Sequence, residues 1–230
     1  MSRPLWRRIL SKAYRTFRPI KNERYYLNRL ARSSRDVFFI QIGAHDGRTD
    51  DYLFDLIREK KWSGVLVEPV DYLFERLKQN YQGSPQLYFE NKAVSSTTGT
   101  RKFYSLRKNS DGLPDWYDQL GSFDREVILK HKEFIPNIED YIVSQEVACV
   151  SVKDLLKGRS DHVDLMLIDT EGSDFEILKS IDFTRTRPGL IIYEDKHLTP
   201  GDQVACVKLL NAARYEVSRV SAHNQIAVAK

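Results

Sequence analysis

Acidic side chains and a histidine follow two apolar segments in the C-terminal part of the chain. Asp169 and Glu171 come at the end of one segment, and Glu194, Asp195 and His197 come at the end of the other. Carboxylates and imidazole can take a proton from a hydroxyl group, and carboxylate oxygens also suit a divalent cation such as Mg²⁺. Because acidic residues also favour the first turn of a helix, Glu171 and Asp195 have helix capping as an alternative role.

A short loop bounded by two glycines, residues 43–47 with the sequence GAHDG, follows an earlier apolar run. Glycines let the backbone approach a ligand closely, and the helix that comes next would offer free N–H groups. Glu68 ends the next apolar run, where a carboxylate can accept hydrogen bonds from the hydroxyls of a ribose. Together these features predict a nucleoside-type cofactor.

Two cofactors that carry such a ribose are NAD and S-adenosylmethionine. The glycine loop is not the GxGxxG dinucleotide fingerprint, because His45 stands in place of the second glycine. Hydride transfer does not require so many acids, whereas methyl transfer to a hydroxyl needs help with the proton, since an alcohol is about as weak an acid as water. The residues therefore favour a methyl donor, and residues 90–94 (ENKAV) would lie beside its adenine.

The elements that must position these residues alternate along the chain. Short β-branched and aromatic runs are typical of buried parallel strands, and helical spacing follows most of them. The predicted strands are residues 37–42, 64–68, 86–94, 163–169 and 190–194, and the predicted helices are 50–60, 72–80, 174–180 and 201–213. The alternation predicts an α/β fold with a doubly wound, mostly parallel sheet, closed by an antiparallel hairpin of residues 215–220 and 225–229.

The connection between the third and fourth predicted strands is too long for a simple crossover. Residues 107–147 mix polar groups with aromatic side chains, among them Trp116 and His131, as binding surfaces do. We expect an inserted lid or substrate loop here, with an ordinary packed insertion as the alternative. His131 is then a candidate base beside His197.

Positive charge is concentrated at the N-terminus. The formal net charge of +4 divides into +10 for residues 1–35 and −6 for residues 36–230. Apolar side chains recur at helical spacing between Trp6 and Phe17, so we expect a basic amphipathic arm, residues 1–35, ahead of one domain. Such an arm would lie on an anionic membrane or bind a partner, or it would dock on its own domain with its basic face solvated.

Composition excludes several classes of protein. The chain of 230 residues is 41% hydrophobic and 11% aromatic, which argues against a disordered or disulfide-built chain. Cys149 and Cys206 stand far apart in apolar surroundings, so we expect them to pack in the core in a reducing compartment. We expect no membrane span and no secretory signal, and the acidic body disfavours nucleic acid as the substrate.

Five motifs follow one another along the chain, and they are FFIQIGAHDG, GVLVEP, ENKAVS, LMLIDTEGSDFEIL and IIYEDKHL. In this combination the sequence resembles the FkbM-type S-adenosylmethionine-dependent methyltransferases from about Val37 to Lys230. The segments DTEG and YEDKH are the most specific parts of the resemblance. It implies a Rossmann-like class I methyltransferase fold that ends in a β-hairpin, and O-methylation, often of sugar hydroxyls in glycans or natural products.

The resemblance also implies roles for individual residues. The methionine half of the cofactor would contact Gly43, Ala44, Asp46 and Gly47, its ribose would contact Glu68, and its adenine would lie beside residues 91–94, including Asn91 and Ala93. His45 and Pro69 are further candidate cofactor contacts. Asp169 would contact the cofactor near the transferred methyl group. The catalytic candidates are Asp169, Glu171, Glu194, His197 and His131.

The sequence departs from the family pattern at three positions. Gln41 stands where class I enzymes usually carry an acid, His45 replaces Asn or Gly and could face the substrate, and Asp195 replaces an expected histidine. Some class I O-methyltransferases hold magnesium at carboxylates in similar places. Asp169, Glu194 and Asp195 are therefore candidate ligands of a divalent cation such as Mg²⁺.

The leading hypothesis is an S-adenosylmethionine-dependent O-methyltransferase that acts on a sugar hydroxyl of a glycan, glycolipid or natural-product precursor. One alternative is a non-catalytic domain that binds a glycan or a partner and is tethered by its arm, and a weaker one is a nicotinamide-dependent oxidoreductase. We expect a cytoplasmic protein whose arm makes peripheral contact with the anionic inner membrane surface or with a glycan-assembly protein.

Overall fold

The computed structural model describes residues 21–32, 36–108, 112–160 and 162–230. Its strands are β1 (Phe38–Ile42), β2 (Ser63–Val67), β3 (Leu87–Glu90), β4 (Ala93–Val94), β5 (Gly99–Leu106), β6 (Gly121–Ser122), β7 (Ile142–Val150), β8 (Leu165–Ile168), β9 (Leu190–Glu194), β10 (Tyr215–Arg219) and β11 (Asn224–Ala229). Seven of them form one sheet in the order β10–β11–β9–β8–β1–β2–β3. The strands from β9 to β3 are parallel, and β11 and β10 close the sheet antiparallel. The predicted doubly wound sheet and its C-terminal hairpin are confirmed.

Helices cover both faces of this sheet, as its parallel strands require. They are α1 (Glu23–Ala31), α2 (Phe54–Lys60), α3 (Asp71–Asn80), α4 (Arg125–Leu129), α5 (Val152–Leu156), α6 (Asp174–Ser180) and α7 (Pro200–Ala212). The helix after the glycine loop begins at Phe54 and not at residue 50 as predicted. Asp50 adopts a left-handed conformation with φ of 54°, which no helix can continue through.

The predicted third strand is two strands that belong to different sheets. β3 pairs with β2, whereas β4 pairs with β7 in a four-stranded sheet of order β4–β7–β5–β6. Between them the Asn91 side-chain amide donates to the carbonyls of Glu68 and Pro69, which turns the chain out of the main sheet. The insertion predicted at residues 107–147 contains β6, α4 and the first residues of β7. β5 ends just before the insertion and pairs with β7, so the two strands hold its two ends together.

The core is divided between the two faces of the main sheet. Alternate strand residues point to opposite faces, so Ile40 and Phe39 belong to different apolar clusters although they are neighbours in sequence. Cys206 lies in the first cluster and Cys149 in a third one beneath the second sheet, and neither forms a disulfide. The prediction that both cysteines pack in the core is confirmed.

Part of the predicted N-terminal arm is docked on the domain. The Asn22 side chain accepts from the Tyr25 N–H at the start of α1, and Leu27 is 1% exposed within the second core cluster. Buried Glu23 accepts a hydrogen bond from Asn224 in β11. Residues 1–20 and 33–35, including the apolar spacing between Trp6 and Phe17, lie outside the described residues. Among the described helices, none is long and apolar enough to cross a membrane.

Candidate active site

A cavity of about 360 Å³ opens at the carboxyl ends of β1, β2, β8 and β9. Its volume falls in the range of about 300–1,000 Å³ that small-molecule sites occupy. The loops after these strands and part of the insertion line it, which is where doubly wound sheets bind their ligands. The predicted site residues in its lining are Gly43, Ala44, His45, Glu68, Pro69, Ala93, Asp169, Glu171 and Glu194.

Gly43 brings the loop after β1 against the end of β8. Its φ is 78°, and a Cβ atom at this position would stand 1.7 Å from the backbone oxygen of Asp169. Any other residue would push the two strand ends apart. The glycine therefore lets the loop after β1 lie directly against Asp169, and both residues line the cavity.

Glu68 is buried at the end of β2 and holds the glycine loop in place. Its Oε2 accepts the His45 N–H at 2.9 Å, and its Oε1 accepts the Val70 N–H at 2.8 Å. Burial raises the pKa of Glu68 to about 7, although both hydrogen bonds oppose the rise. Each carboxylate oxygen has a second lone pair, so the group can still accept hydrogen bonds from a ligand.

His45 connects this loop to the insertion through a network that we call the latch, formed by His45, Asp46, Arg76 and Asp118. His45 Nε2 lies 3.2 Å from Asp118 Oδ1, and Arg76 donates to both Asp118 and Asp46, at 3.0 and 2.7 Å. Burial alone would lower the pKa of His45, but Asp118 and Asp46 outweigh it and raise the pKa to about 9. A charged His45 therefore ties the insertion to the glycine loop.

Three of the predicted cofactor residues support the cavity from outside its lining. The Asp46 carboxylate accepts the N–H groups of Arg48 and Thr49, and a Cβ on Gly47 would lie 2.4 Å from Leu77 in α3. The Asn91 amide is engaged with backbone carbonyls, as described above. The structure thus brings these residues close to the cavity without turning their side chains into it.

Gln41 lines the cavity and presents an acceptor that has no partner. Its Nε2 donates to Asp51 at 2.9 Å, while its buried Oε1 has no hydrogen-bond partner among the described residues. An unpaired buried acceptor costs about 1–3 kcal/mol, which a ligand donor would recover. Gln41, which departs from the family pattern, is therefore a candidate cofactor contact.

Two acidic groups stand at the end of β8. Asp169 is exposed at the open cavity, and partial enclosure by the protein, followed by the charge of Glu171, raises the pKa of Asp169 to about 7. Asp174 is fully buried, and burial with the nearby Asp169 raises its pKa to about 8. Asp174 accepts from the Thr170 hydroxyl and from the Glu194 N–H, so it connects the ends of β8 and β9.

Glu171, Glu194 and His197 form a group that we call the tip cluster. One nitrogen or oxygen atom of each lies within 4.8 Å of the other two, and His197 Nε2 is 2.7 Å from Glu171 Oε2 and 3.9 Å from Glu194 Oε2. All three atoms are buried, and none of them has a hydrogen-bond partner in the part of the chain that the structure describes. Burial, then Asp169 and Glu171, raise the pKa of Glu194 to about 9.

Asp195 does not join this cluster. Consecutive residues at a strand end point to opposite sides, so Glu194 faces the cavity while Asp195 faces the hairpin. The Asp195 carboxylate is 1% exposed and accepts from both Nη atoms of Arg219 and from Gln225. It holds β9 to the hairpin, whereas Glu171, Glu194 and His197 are grouped closely enough that they could hold a metal ion.

His131 lies in the insertion beside His197, with ring centroids 5.7 Å apart. Its Nδ1 is 3.2 Å from the Val127 carbonyl, and burial followed by Lys196 lowers the pKa of His131. The Trp116 ring contacts both His131 and Phe134, with centroids 5.8 and 6.2 Å away, and Phe134 is 67% exposed. We call Phe134, Trp116 and His131 the aromatic row, which leads from the surface to the tip cluster.

Several lining residues that were not predicted come from distant segments of the chain. Asp118 and Gln119 come from the insertion, and His223 and Asn224 come from the turn of the hairpin. No local sequence signal marks them, because their position depends on how distant segments fold back over the strand ends.

The comparisons with known proteins give one family and a set of distant structures. The chain matches the Methyltransferase FkbM domain over residues 41–222. No curated protein sequence matches it. A precorrin-6y C5,15-methyltransferase from Geobacter metallireducens GS-15 is similar in structure at 11% identity, with a TM-score of 0.45 over 90% of this chain and 87% of the other. A SAM-dependent methyltransferase from Aquifex aeolicus is similar at 11% identity, with a TM-score of 0.40 over 94% and 95%.

The family match includes the glycine loop, Glu68, Asp169 and the whole tip cluster. The strand order, the hairpin and the cavity at the strand ends agree with the fold that the sequence motifs implied. The chain therefore belongs to the FkbM family of S-adenosylmethionine-dependent methyltransferases.

Proposed function

We propose that the protein methylates a sugar hydroxyl of a glycan, glycolipid or natural-product precursor. The observation that carries this proposal is the tip cluster, where Glu171 and Glu194 line the cavity close to Asp169 and His197 Nε2 approaches both. A hydroxyl is a weak acid, so its oxygen becomes an effective nucleophile only when a nearby group assists the loss of the proton. Three buried polar atoms without partners offer that assistance.

S-adenosylmethionine fits the polar groups at the other end of the cavity. Gln41 Oε1 is free to accept a hydrogen bond from an ammonium group, and Glu68 has lone pairs for two ribose hydroxyls. Pro69 and Ala93 offer an apolar edge for an adenine ring. When bound, the cofactor supplies a methyl group on a positively charged sulfur.

The residues of the tip cluster handle the proton of the reaction. As the acceptor oxygen forms its bond to the methyl carbon and the carbon–sulfur bond breaks, the hydroxyl proton has to leave. Glu171 and Glu194 line the end of the cavity where the hydroxyl would lie, and His197 contacts Glu171 from outside that lining, so the three groups together assist removal of the proton. Asp169 lines the cavity between the loop 43–47 and the tip cluster, and it contributes a further carboxyl group there.

The aromatic row favours a sugar as the acceptor. The C–H groups on one face of a pyranose ring pack against aromatic rings, and its hydroxyls remain free for polar groups. Trp116 and the exposed Phe134 provide such rings, and His131 leads from them to His197. A sugar that lies on the aromatic row would direct one hydroxyl toward the tip cluster.

Methyl transfer from tritiated S-adenosylmethionine to free monosaccharides, nucleotide sugars and lipid-linked oligosaccharides tests the proposal. We expect an O-methyl sugar, identified by NMR, from one of these classes. Trp116→Ala should raise KM for the acceptor about tenfold, and His197→Ala should lower kcat at least 100-fold, while both retain affinity for S-adenosylhomocysteine. A product methylated at nitrogen or at a carboxylate, or binding of NAD in place of S-adenosylhomocysteine, would contradict it.

We also propose that the basic residues 1–20 bring the enzyme to an anionic surface, either the cytoplasmic face of the inner membrane or a glycan-assembly protein. Six Lys and Arg residues and no acid lie in this segment. Electrostatic attachment of this kind weakens as salt screens the charges.

A further inference from the structure

The tip cluster contains more unpaired buried polar groups than a proton-transfer site requires. The His197 side chain is 3% exposed and the Glu194 side chain 10%, and their Nε2 and Oε2 atoms have no hydrogen-bond partner among the described residues. Glu171 Oε2 is buried and unpartnered as well, although His197 Nε2 is only 2.7 Å away. The close approach therefore lacks the direction of a hydrogen bond, and all three atoms lie within 4.8 Å of one another.

Charge at this location is unbalanced. Asp169 and Asp174 lie close enough to Glu194 to act on it electrostatically, together with Glu171, and Lys196 is the cation that acts on it most. Four carboxyl groups face one lysine in this place, so the protein itself does not balance the charge of those that ionise. Buried charges of one sign are retained where a counter-ion compensates them.

The separations suit a divalent cation. Ligand atoms at about 2.1 Å from an octahedral ion lie about 3 Å apart when adjacent and about 4.2 Å apart when opposite. The separations in the cluster are 2.7 and 3.9 Å from the histidine and at most 4.8 Å for any pair. These separations are close to those between ligand atoms around one ion.

The backbone holds these side chains in the required positions. Glu171 has a left-handed φ of 49°, and its carbonyl accepts the hydroxyl of Ser122 in β6 at 2.7 Å. The Glu194 N–H is held by Asp174 at 3.1 Å. A left-handed backbone conformation at a residue other than glycine is strained, and it persists where the surrounding structure requires a particular side-chain direction.

We propose that Glu171, Glu194 and His197 bind a divalent cation of the Mn²⁺ or Zn²⁺ class at the end of the methyltransferase cavity. Imidazole suits zinc and the later transition metals, whereas carboxylates suit magnesium and manganese, so a mixed set favours Mn²⁺ or Zn²⁺ over Mg²⁺. On the proposed function, a bound ion would act as a Lewis acid on the acceptor hydroxyl, and the proton would leave to Asp169, which lines the same cavity, because the three ligand atoms would be occupied. The cation site itself depends only on the three side chains.

Metal binding by the chelator-stripped full-length protein tests this site directly. Electron paramagnetic resonance measures free Mn²⁺ during a titration, and calorimetry measures Zn²⁺ binding. We expect one binding site per chain. Mg²⁺ should displace the bound Mn²⁺ or Zn²⁺ only weakly. Glu171→Gln and Glu194→Gln should each weaken binding at least tenfold. The nitrogen modulation in pulsed spectra of the Mn²⁺ complex should disappear in His197→Ala.

Two control variants test the ligand set. Asp50→Asn removes a carboxylate that lines the same cavity near Gln119, and Asp195→Asn removes the carboxylate that faces the hairpin. Both should retain the affinity for Mn²⁺. Absence of saturable binding, binding that the two glutamate variants leave unchanged, or loss of binding in Asp195→Asn would overturn the inference.

A titration with S-adenosylhomocysteine in the same samples separates this inference from the proposed function. If the cofactor product binds but neither Mn²⁺ nor Zn²⁺ does, the cation site is refuted and the methyltransferase proposal stands. If a cation binds at the tip cluster but the cofactor product does not bind, the proposed function fails and the cation site stands.

Discussion

The two ends of the cavity satisfy their buried polar groups in different ways. At the cofactor end, which consists of Gln41, the loop 43–47 and Glu68, backbone N–H groups occupy both oxygens of the glutamate, and the latch ties His45 to the insertion. Gln41 Oε1 has no hydrogen-bond partner there among the described residues, and His45 Nδ1 lies 3.5 Å from Asp46 Oδ1. At the tip cluster three unpartnered atoms converge within 4.8 Å.

This difference separates a preorganised site from an incomplete one. The cofactor end is formed by the chain's own hydrogen bonds, so a ligand adds contacts to a structure that already exists. The tip cluster becomes electrostatically satisfied only when something else enters it, because each of its atoms is buried and lacks a partner within the described residues. Variants that damage one end should therefore leave the other measurable.

The largest effect is expected at the cofactor end, from Glu68→Gln. The substitution keeps the shape but removes the charge that strengthens hydrogen bonds from ribose hydroxyls, each worth about 1.5–3 kcal/mol. The new side-chain NH₂ group would also face the backbone N–H of His45 or of Val70, so two hydrogen-bond donors would meet without an acceptor. Affinity for S-adenosylhomocysteine should fall by about 100-fold in calorimetry, while Mn²⁺ binding at the tip cluster persists.

Glu90→Gln is the matched control for this variant. Glu90 ends the neighbouring strand β3, but its carboxylate pairs with Lys92 and Arg159 and does not line the cavity. Its substitution should change the affinity for S-adenosylhomocysteine less than twofold. Equal losses in both variants would mean that charge at this edge of the sheet, and not the position of Glu68, controls cofactor binding.

The latch predicts a loss of stability at alkaline pH. His45 has a pKa raised to about 9 from an ordinary 6.5, so the folded protein binds the proton more tightly than the unfolded chain does. This contribution, at most about 3 kcal/mol, is fully present below pH 6.5 and disappears as pH rises through 9. Glu68, Asp46, Asp118 and Arg76 are the charged groups around His45.

Urea unfolding between pH 7.5 and 9.5 measures this effect as a difference between two proteins, because Asp174 and Glu194, with pKa values raised to about 8 and about 9, also lose protons in this window. The free energy of unfolding of the unaltered protein should fall across the window. In Asp118→Asn, which removes the partner of His45 Nε2, the decrease should be smaller. A decrease of the same size in Asp118→Asn would show that the latch is not its origin.

A smaller effect is expected from Ser122→Ala at the tip cluster. Loss of the hydroxyl that donates to the Glu171 carbonyl should cost about 1 kcal/mol of stability and let the strained turn relax. We expect kcat and Mn²⁺ affinity to fall about fivefold, with unchanged affinity for S-adenosylhomocysteine. Ser95→Ala removes a buried serine hydroxyl that donates to Thr97, so it should lower stability alone.

The sequence was sufficient to predict the parallel sheet, because each strand buried on both faces appears as an apolar run that ends at a polar tip. It also located Gly43, Glu68 and Asp169, whose place at the ends of strands puts them at one edge of the sheet. It did not predict that the segment 86–94 divides between two sheets. That break depends on the Asn91 amide, whose acceptors come from a different loop.

The candidate metal ligands show the limit of spacing arguments. Glu194 and Asp195 are adjacent in sequence and equally suitable as ligands, but the pleat sends one to the cavity and the other to Arg219. His197 reaches the glutamates only because the chain turns after β9. The contact of Asp118 with His45 joins residues 73 positions apart, and no local pattern encodes it.

The smallest effect on both ends of the cavity is expected from removal of residues 1–20. This segment carries six of the eleven basic residues of the arm, whereas α1, which begins at Glu23, contributes Leu27 to the core. The truncated protein should lose salt-sensitive binding to vesicles that contain anionic lipid, with melting temperature and cofactor affinity unchanged. Removal of residues 1–35 should in addition expose the surface under Leu27 and lower stability by about 2–3 kcal/mol, because a buried leucine is lost. If the shorter truncation binds vesicles as well as the full chain does, the charge that attracts the membrane lies on the folded domain and not on the arm.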